Sequence, residues 1–371
     1  MPLQQNACIF AADYVSLDIN MKRQLLFAAM LLTMCQGAMA QDSQPTMKIG
    51  GTLRGKYEYQ TEEKEGRFEV RTARVNVAGK INEWVEYKAE IDLCDEGQIK
   101  MLDAYTRLRP LHDKNFQFTI GQERVPFTID AHRSPNQQYF ANRSFIAKQV
   151  GNVRDVGAEI GYTFHPGFPI VARFGIFNGS GLTNQKDYWT NHVNFSGKVE
   201  FMFPFNTNLV FSAQKVKPGP VDIMMYDAGI NFHKNGFIAE AEYLYKHYAD
   251  DAFKAVHAFD GFVSYDIPVG SKRSLIKKVS PLARFDFMTD HSDGKLYDVT
   301  VKGANGAETT VKQLKINDYQ RNRITAGVTL SVDKPFLSDI RINYEKYHYS
   351  HNAVAKVSER DKIVVEFMTH F

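Results

Sequence analysis

The stretch that decides the fold is the end of the chain, residues 363–371, which reads IVVEFMTHF. Its apolar face repeats at every second residue and contains Ile363, Val365, Phe367 and Phe371. A period of two is that of a β-strand. In a soluble domain, an apolar edge strand ending on an aromatic ring would invite pairing with other chains. In a transmembrane barrel the last strand closes against the first, and the ring lies in the interfacial aromatic girdle.

The other end of the chain has the pattern of a secretory leader. Met21-Lys22-Arg23 forms a basic segment, residues 25–35 form a short apolar run, and Ala38-Met39-Ala40 is a small-x-small cleavage site. The apolar run is too short to span a bilayer as a helix. We therefore expect residues 1–40 to be an upstream extension plus a signal peptide cleaved after Ala40. Residues 41–371 are expected to form one domain.

Composition narrows the class of protein. The net charge of +3 gives no basic excess of the kind that nucleic-acid-binding proteins show. A mean hydropathy of −0.35 excludes a bundle of membrane helices, whereas barrel strands alternate apolar with polar residues and so lower the average. Cys94 is the only cysteine after residue 40. The expected mature chain therefore has no internal disulfide and no thiolate metal cage.

Alternating segments of about ten residues recur along the whole chain. In the clearest of them, Val85, Tyr87, Ala89, Ile91 and Leu93 alternate with Glu86, Lys88, Glu90 and Asp92. One such strand fits a soluble sandwich as well as a barrel. Sixteen segments can be counted from residues 47–59 to the C-terminal strand, with fourteen and eighteen as alternatives. The set predicts an all-β fold, a transmembrane antiparallel β-barrel of about 16 strands.

Two connections between these segments are long. The first, Pro126 to Arg154, has 29 residues, and the second runs from Thr289 to Asn317. Long loops in a compact fold are usually functional or disordered. The second is rich in acidic residues and is expected to be a solvated extracellular loop. The first is expected to fold inward as a constriction loop with a short helix, because it carries the apolar anchors Tyr139, Phe140, Phe145 and Ile146.

Four motifs resemble the phosphate-selective porin O and P family of outer-membrane channels, in its Bacteroidota-like branch. They are Phe68-Glu69-Val70-Arg71-Thr72-Ala73-Arg74-Val75, Gly121-Gln122-Glu123-Arg124-Val125-Pro126-Phe127, Val153-Arg154-Asp155-Val156-Gly157 and Gly175-Ile176-Phe177-Asn178-Gly179. With the leader and the terminal Phe371, the resemblance covers about residues 41–371.

The resemblance implies a homotrimer of sixteen-stranded barrels in the outer membrane of a bacterial cell. Loops would narrow each pore, and small anions, phosphate in some members, would pass. It also implies that the barrel assembly machinery recognises Phe371. One position departs from the family pattern: Thr72 stands where phosphate-selective members place another arginine.

The candidate anion-binding residues are basic side chains of two regions. The inward loop has a local excess of +3 because Arg133, Arg143, Lys148 and Arg154 face a single acid, Asp130. The motifs add Arg71, Arg74 and Arg124. Arg71 and Arg74 are three apart and cannot share one face of a regular strand, so a β-bulge must re-aim one of them or one must lie at an interface. Alternatively, the arginines only pin the loop to wall acids such as Glu86, Glu90 and Asp92.

An enzyme is a weaker interpretation. Carboxylate pairs such as Glu240 and Glu242 lie in strands whose whole polar face is charged, and the histidines lack metal-ligand spacing. Neither a phosphate-binding loop nor a nucleophile elbow is present. We therefore expect no catalytic residues, metal or cofactor. The sequence predicts a porin that lets small hydrophilic solutes diffuse passively, with a preference for anions. The alternatives are a non-selective porin, an outer-membrane barrel enzyme and a secreted β-sandwich adhesin.

Overall fold

The computed structural model describes residues 44–371 except 96, 110–114, 152–153, 183–184, 271–273, 303–307, 334–335, 352 and 354. The expected signal peptide and its cleavage site at Ala40 lie outside the described residues. So does Val153 of the third motif.

Sixteen long antiparallel strands form a closed barrel in which each strand pairs with its neighbours along the chain. A two-residue segment, Ile267–Pro268, adds a short pairing at one edge. The predicted count of sixteen is confirmed. The strands are β1 Thr46–Gln60, β2 Glu65–Lys80, β3 Val85–Asp95, β4 Gln98–Leu108, β5 Phe116–Arg124, β6 Arg154–Phe164, β7 Ile170–Phe177, β8 Asn194–Phe203, β9 Thr207–Val216, β10 Ile223–Lys234, β11 Phe237–Tyr248, β12 Val256–Tyr265, β13 Lys278–Met288, β14 Arg321–Val332, β15 Leu337–Tyr349 and β16 Lys362–His370.

The barrel closes where the sequence predicts, between β1 and β16. The register runs from Thr52 opposite His370 to Gln60 opposite Lys362. Backbone hydrogen bonds continue to the last residue, because Gly51 N donates to Phe371 O at 2.9 Å and Phe371 N donates to Gly51 O at 3.1 Å. A Cβ on Gly51 would lie 2.4 Å from Phe371 Cζ. Glycine at this position therefore leaves room for the terminal ring.

Alternation along the strands separates an apolar outside from a polar inside. On β16, Ile363, Val365 and Phe367 are 38–53% exposed, whereas Glu366 and Met368 are fully buried inside the barrel. The same rule places buried charged residues on the inner face of most strands. This arrangement fits a barrel whose outer surface meets hydrocarbon and whose inner surface holds water. It confirms the interpretation that the apolar faces do not form a packed centre.

The two ends of the barrel differ in the length of their connections. At one end the links are short, as between β2 and β3 or between β10 and β11. At the other end lie the long connections, including residues 125–153 and 289–320. In bacterial barrels short turns face the periplasm and long loops face the outside. We use "inner" for the short-turn end and "outer" for the long-loop end. The second long loop contains a two-stranded hairpin, Tyr297–Lys302 with Glu308–Gln313.

We call residues 125–153 the constriction loop, and its described part, residues 125–151, folds into the barrel as predicted. They include 3-10 turns at Asp130–His132 and Pro135–Gln137 and a π-helical turn at Ile146–Val150. The ring of Phe140 packs edge-on against Phe262 of β12. Buried residues near both ends of the loop join wall side chains in one apolar cluster, which contains Val125, Phe127, Phe145, Ile146, Leu244, Val256 and Met288. Within the described residues, no helix has both the length and the apolar character needed to cross a bilayer.

Candidate pore and its charged lining

A β-bulge in β2 brings both motif arginines to the inside of the barrel. The register between β1 and β2 pairs Arg54 with Thr72 and then Gly55 with Val70, so it skips Arg71. An extra residue of this kind reverses the alternation on one side of the bulge. Arg71 lines a lumen cavity, and Arg74 contacts Asp92, which is fully buried inside. Of the two alternatives that the spacing of Arg71 and Arg74 left open, the structure has the bulge.

The outer cavity, of about 390 Å³, lies between the constriction loop and strands β1, β2, β14, β15 and β16. Among the described residues, its lining includes seven basic side chains and three acidic ones. The excess of positive charge in a confined space favours anions there. The basic residues are Lys56, Arg67, Arg71, Arg143, Lys148, Arg323 and Lys362, and the acidic ones are Glu58, Glu69 and Glu359.

The inner cavity, of about 790 Å³, lies on the opposite side of the constriction loop, near the short turns. Its described lining balances four basic side chains against four acidic ones, with His132 in addition. The charged residues are Arg133, Lys198, Lys277 and Lys278 on the basic side, and Glu200, Asp266, Asp333 and Asp339 on the acidic side. This cavity therefore has no excess of fixed charge of either sign, apart from the histidine.

Of the arginines predicted on the constriction loop, Arg133 is held by the wall. Its Nη1 donates to Glu240 Oε1 of β11 at 2.7 Å and lies 3.6 Å from Asp130. Such a bidentate pair neutralises the guanidinium and fixes its direction. Arg133 lines the inner cavity, so its charge is available to solutes only in combination with Glu240. The pinning alternative describes this arginine best.

Arg143 has a different setting. It lines the outer cavity, and its guanidinium donates to the backbone oxygens of Asp130 and Arg133. Burial lowers the pKa of Arg143 to about 10; Asp130 opposes this shift, and the charges of Arg54, Arg74 and Arg154 add to it. The group therefore stays charged at neutral pH. Lys148 also lines the outer cavity and is exposed.

The other three predicted residues lie outside the described linings of these two cavities. Arg154 Nε donates to Asp103 of β4 at 2.8 Å, and its Nη2 lies 3.6 Å from Glu90. Arg74 Nε donates to Asp92 at 3.0 Å, and Arg124 donates to the backbone oxygen of His132 in the loop. Their contacts with wall acids and loop backbone resemble the pinning alternative more than an open anion path.

Four arginines that the sequence did not single out for the loop reach it from the wall. The guanidinium groups of Arg54, Arg284, Arg323 and Arg341 are buried and donate to backbone oxygens of the constriction loop. The alternation of apolar and polar residues already places these four arginines on the polar faces of their strands. Arg284 also forms an ion pair with Asp286 of the same strand, at 2.8 Å. Their contacts with the loop depend on barrel closure, and strand alternation alone could not reveal them.

The long loop 289–320 is anchored near the outer mouth by a polar cluster. Lys246 Nζ of β11 lies 2.8 Å from His291 Nε2 and donates to Ser292 O at 3.0 Å. His291 Nδ1 faces Asp318 at 3.5 Å. Burial lowers the pKa of His291 to about 4, and the nearby charge of Lys246 adds to this effect. Among the described residues, no group of three or more His, Cys, Asp or Glu side chains is arranged to hold a metal ion.

Comparison with known families agrees with this architecture. Residues 48–218, just under half of the chain, match the sequence profile of the family described as phosphate-selective porin O and P. The match includes all four motifs and the constriction loop. No curated protein matches the sequence.

Solved structures of outer-membrane porins share the fold. The trimer form of OmpT from Vibrio cholerae is similar with a TM-score of 0.55 at 11% identity, covering 89% of this chain and 99% of that chain. An anion-selective porin from Comamonas acidovorans gives 0.57 at 11% identity, with 88% and 100% covered. The channel DcaP of Acinetobacter baumannii gives 0.54 at 10% identity, with 90% and 99% covered. The chain therefore has the fold of an outer-membrane porin.

Proposed function

We propose that this protein is an outer-membrane porin that lets small hydrophilic solutes diffuse passively and prefers anions. The observation that carries the proposal is the excess of seven basic over three acidic side chains around the outer cavity. A solute that enters from the long-loop end meets this lining, part of which belongs to the constriction loop. A positive field in a narrow aqueous space raises the local concentration of anions and lowers that of cations.

The family match over residues 48–218 and the similarity to an anion-selective porin support the same proposal. The chemistry of the lining also suits anions. Arginine and lysine donors can replace part of the water that an anion loses in the passage. Because Glu58 contacts Lys56, Lys362 and Arg67, these three bases are partly neutralised. Arg71, Arg143 and Lys148, three of the candidates predicted from the sequence, line the same cavity, and we propose them as anion contacts.

Phosphate is the more specific candidate for the solute, and Thr72 weakens the case for phosphate selectivity. The side chain of Thr72 is buried on β2 beside the bulge that holds Arg71. Where another arginine would add a guanidinium with five donors, threonine adds one hydroxyl. We propose a general anion preference as the default and phosphate specificity as the stronger claim to be tested. Arg74, Arg124, Arg133 and Arg154 are secondary candidates, because wall acids or loop carbonyls already accept their hydrogen bonds.

Assembly and membrane placement complete the proposal. A homotrimer fits the trimer form of the similar Vibrio cholerae porin. The apolar, lipid-facing side of the barrel would contact outer-membrane lipid. Phe371 would be the residue that the barrel assembly machinery recognises. The Bacteroidota-like branch and the cleavage of residues 1–40 stay predictions from sequence.

Reversal potentials in planar bilayers test the central claim. With purified protein under a KCl gradient, the proposal expects a potential of the sign that chloride permeation gives. Repeating the measurement at high salt should reduce it, because the Debye length falls from about 10 Å at 0.1 M to about 3 Å at 1 M. A cation-selective channel would contradict the anion claim. Competition of phosphate, sulfate and sugars with the chloride current then separates a phosphate-selective porin from a general one.

A non-selective porin is the second candidate, favoured by the balanced lining of the inner cavity. It predicts a reversal potential near zero with an otherwise normal conductance. An outer-membrane enzyme or a secreted adhesin predicts no channel at all. We propose a channel and not an enzyme, and the same bilayer recording distinguishes these classes.

A further inference from the structure

We infer that Arg54, Arg341, Arg284 and Arg323 are positioning residues that hold the constriction loop in place and thereby set the width of the pore. This inference rests on the proposed porin function. Each arginine lies on the lumen side of the barrel wall and is at most 5% exposed. Each directs one edge of its guanidinium toward a wall carboxylate and another donor toward a backbone oxygen of the loop.

The first pair shares Glu366 of β16. Arg54 Nε donates to Glu366 Oε2 at 2.9 Å, and Arg341 Nη1 donates to Glu366 Oε1 at 2.8 Å. The remaining donors of Arg54 reach the loop, with Nη1 to Gln138 Oε1 at 2.8 Å and Nη2 to Ala141 O at 2.6 Å. Arg341 approaches Pro135 O at 3.4 Å. This pair therefore holds the first half of the loop.

The second pair shares Asp286 of β13. Arg284 Nε donates to Asp286 Oδ2 at 2.8 Å and Arg323 Nε does so at 3.0 Å. On the loop side, Arg284 Nη1 donates to Asn142 O at 3.0 Å and Arg323 Nη2 to Arg143 O at 2.7 Å. This pair holds the part of the loop whose side chain Arg143 enters the outer cavity.

Aromatic rings of the loop also cover the guanidinium groups of the second pair. The carbon Cζ of Arg284 lies 4.4 Å from the ring centre of Phe140, and that of Arg323 lies 4.7 Å from the ring centre of Phe145. The part of the loop next to the second pair is thus held by carbonyl hydrogen bonds and by contacts between its rings and planar cations. The two pairs use different carboxylates, so one pair can be disrupted while the other still holds its part of the loop.

Arginine is required for this geometry and lysine is not a substitute. A guanidinium has five donors in a rigid fork and can bridge a carboxylate and a carbonyl at once, whereas an ammonium is a compact point charge on a flexible stem. Substitution by lysine therefore keeps the charge of the lumen but removes the bridge. This separates the holding role from any contribution of charge to ion selectivity.

The test compares Arg54→Lys/Arg341→Lys and Arg284→Lys/Arg323→Lys with the matched control Arg173→Lys. Arg173 of β7 also pairs with a buried wall acid, Glu159 at 2.7 Å, and none of its hydrogen bonds given by the structure goes to the constriction loop. In planar bilayers we expect each double variant to raise single-channel conductance by roughly twofold, because pore width governs flux, and the control to leave it within experimental error. Hydrogen exchange of peptides covering residues 135–145 should accelerate in the double variants alone.

A third variant covers the case in which the double variants fail to fold. Gln138→Ala removes a loop acceptor of Arg54 and leaves the wall pair with Glu366 intact. It should accelerate exchange around residue 138 and raise conductance by less than the double variants do. Unchanged conductance and exchange in every folded variant, while the unmodified protein conducts, would overturn the inference. Absence of conduction by the unmodified protein would instead defeat the proposed function, and the exchange data would still decide whether the arginines hold the loop.

Discussion

The outer and inner cavities are built from the same barrel wall and share one loop between them, yet they differ in charge. Seven basic side chains face three acidic ones in the outer cavity, whereas the inner cavity has four of each. The smaller cavity has the larger excess. In a confined space with low-dielectric walls such an excess is felt over the whole cross-section. The comparison indicates that selection by charge takes place mainly on the outer side of the constriction loop.

The difference arises from strand ends and the loop together. Arg71 enters the outer cavity because β2 has a bulge, and Arg143 and Lys148 enter it because the loop turns toward the outside after residue 140. In the inner cavity, Lys278 lies 2.8 Å from Asp266, and Arg133 is paired with Glu240 of the wall. Pairs of this kind leave little net field for a passing ion.

Reversing charge in the outer cavity should have the largest effect. In the variant Arg71→Glu/Lys148→Glu, four units of charge change. Each unit of charge at about 8 Å from a passing anion contributes about 0.5 kcal/mol of Coulomb energy in water. The four units together therefore remove about 2 kcal/mol of attraction before screening by salt. We expect the anion-to-cation permeability ratio, measured from reversal potentials at 0.1 M KCl, to fall by about tenfold. A ratio equal to that of the unmodified protein would show that the outer cavity does not select ions.

Neutralising equal numbers of charges on the two sides sharpens the comparison. Arg71→Gln/Lys148→Gln should reduce the difference in charge between the cavities, and Lys277→Gln/Lys278→Gln should increase it. The ratio of single-channel currents at opposite voltages, measured in protein inserted in one orientation, should therefore shift in opposite directions. Both double variants remove two positive charges, so each controls for the other. Shifts of the same sign would mean that total charge matters and its location does not.

The smallest effect is expected at the outer mouth, from the anchor of loop 289–320. Because the folded-state pKa of His291 is lowered to about 4 from an ordinary 6.5, the folded state binds fewer protons than the unfolded state between these values. The stabilisation of this loop should be fully present above about pH 6.5 and decrease as pH falls to about 4. Hydrogen exchange of residues 289–320, corrected for intrinsic rates, should then accelerate at pH 4.5 relative to pH 7.5.

The variant His291→Gln is the matched control for the loop anchor, since an amide can still accept from Lys246 but does not titrate in this range. Its exchange should lack the additional acceleration at low pH. If the unmodified and the substituted protein respond equally, the titrating group lies elsewhere, and Lys246, Asp293 and Asp318, which face His291, are the next candidates.

Much of the fold was predictable because the strands obey local rules. A lipid-facing side chain at every second residue is required wherever hydrocarbon meets the wall, so β3, β11 and β16 are readable from short windows. The inward loop was also predictable, since Phe140, Phe145 and Ile146 could not remain in water in such number. The spacing of Arg71 and Arg74 predicted either a bulge or an interface position for one of them, and the structure has the bulge.

The candidate site was predictable only in its residue types. Arg143 and Lys148 line the outer cavity, but Arg133 and Arg154 are paired with wall acids. Whether a basic side chain contacts a solute or a carboxylate depends on which strand lies opposite, and the register of the closed barrel decides that. The four wall arginines are the clearest example, because Arg54 and Glu366 are 312 positions apart in the chain.

The sequence by itself determined that this chain is an antiparallel barrel of about sixteen strands with an apolar outside, because alternation is a local consequence of the pleat and of the two media that the wall separates. Only the tertiary structure decided which charges cancel and which face the water. Closure of the sheet brings its first and last strands side by side and places the loop across them, and electrostatic partners are fixed by that distance in space. The selection of ions by charge therefore depends on the shape of the closed barrel, whereas the existence of the barrel depends on the pattern of residues.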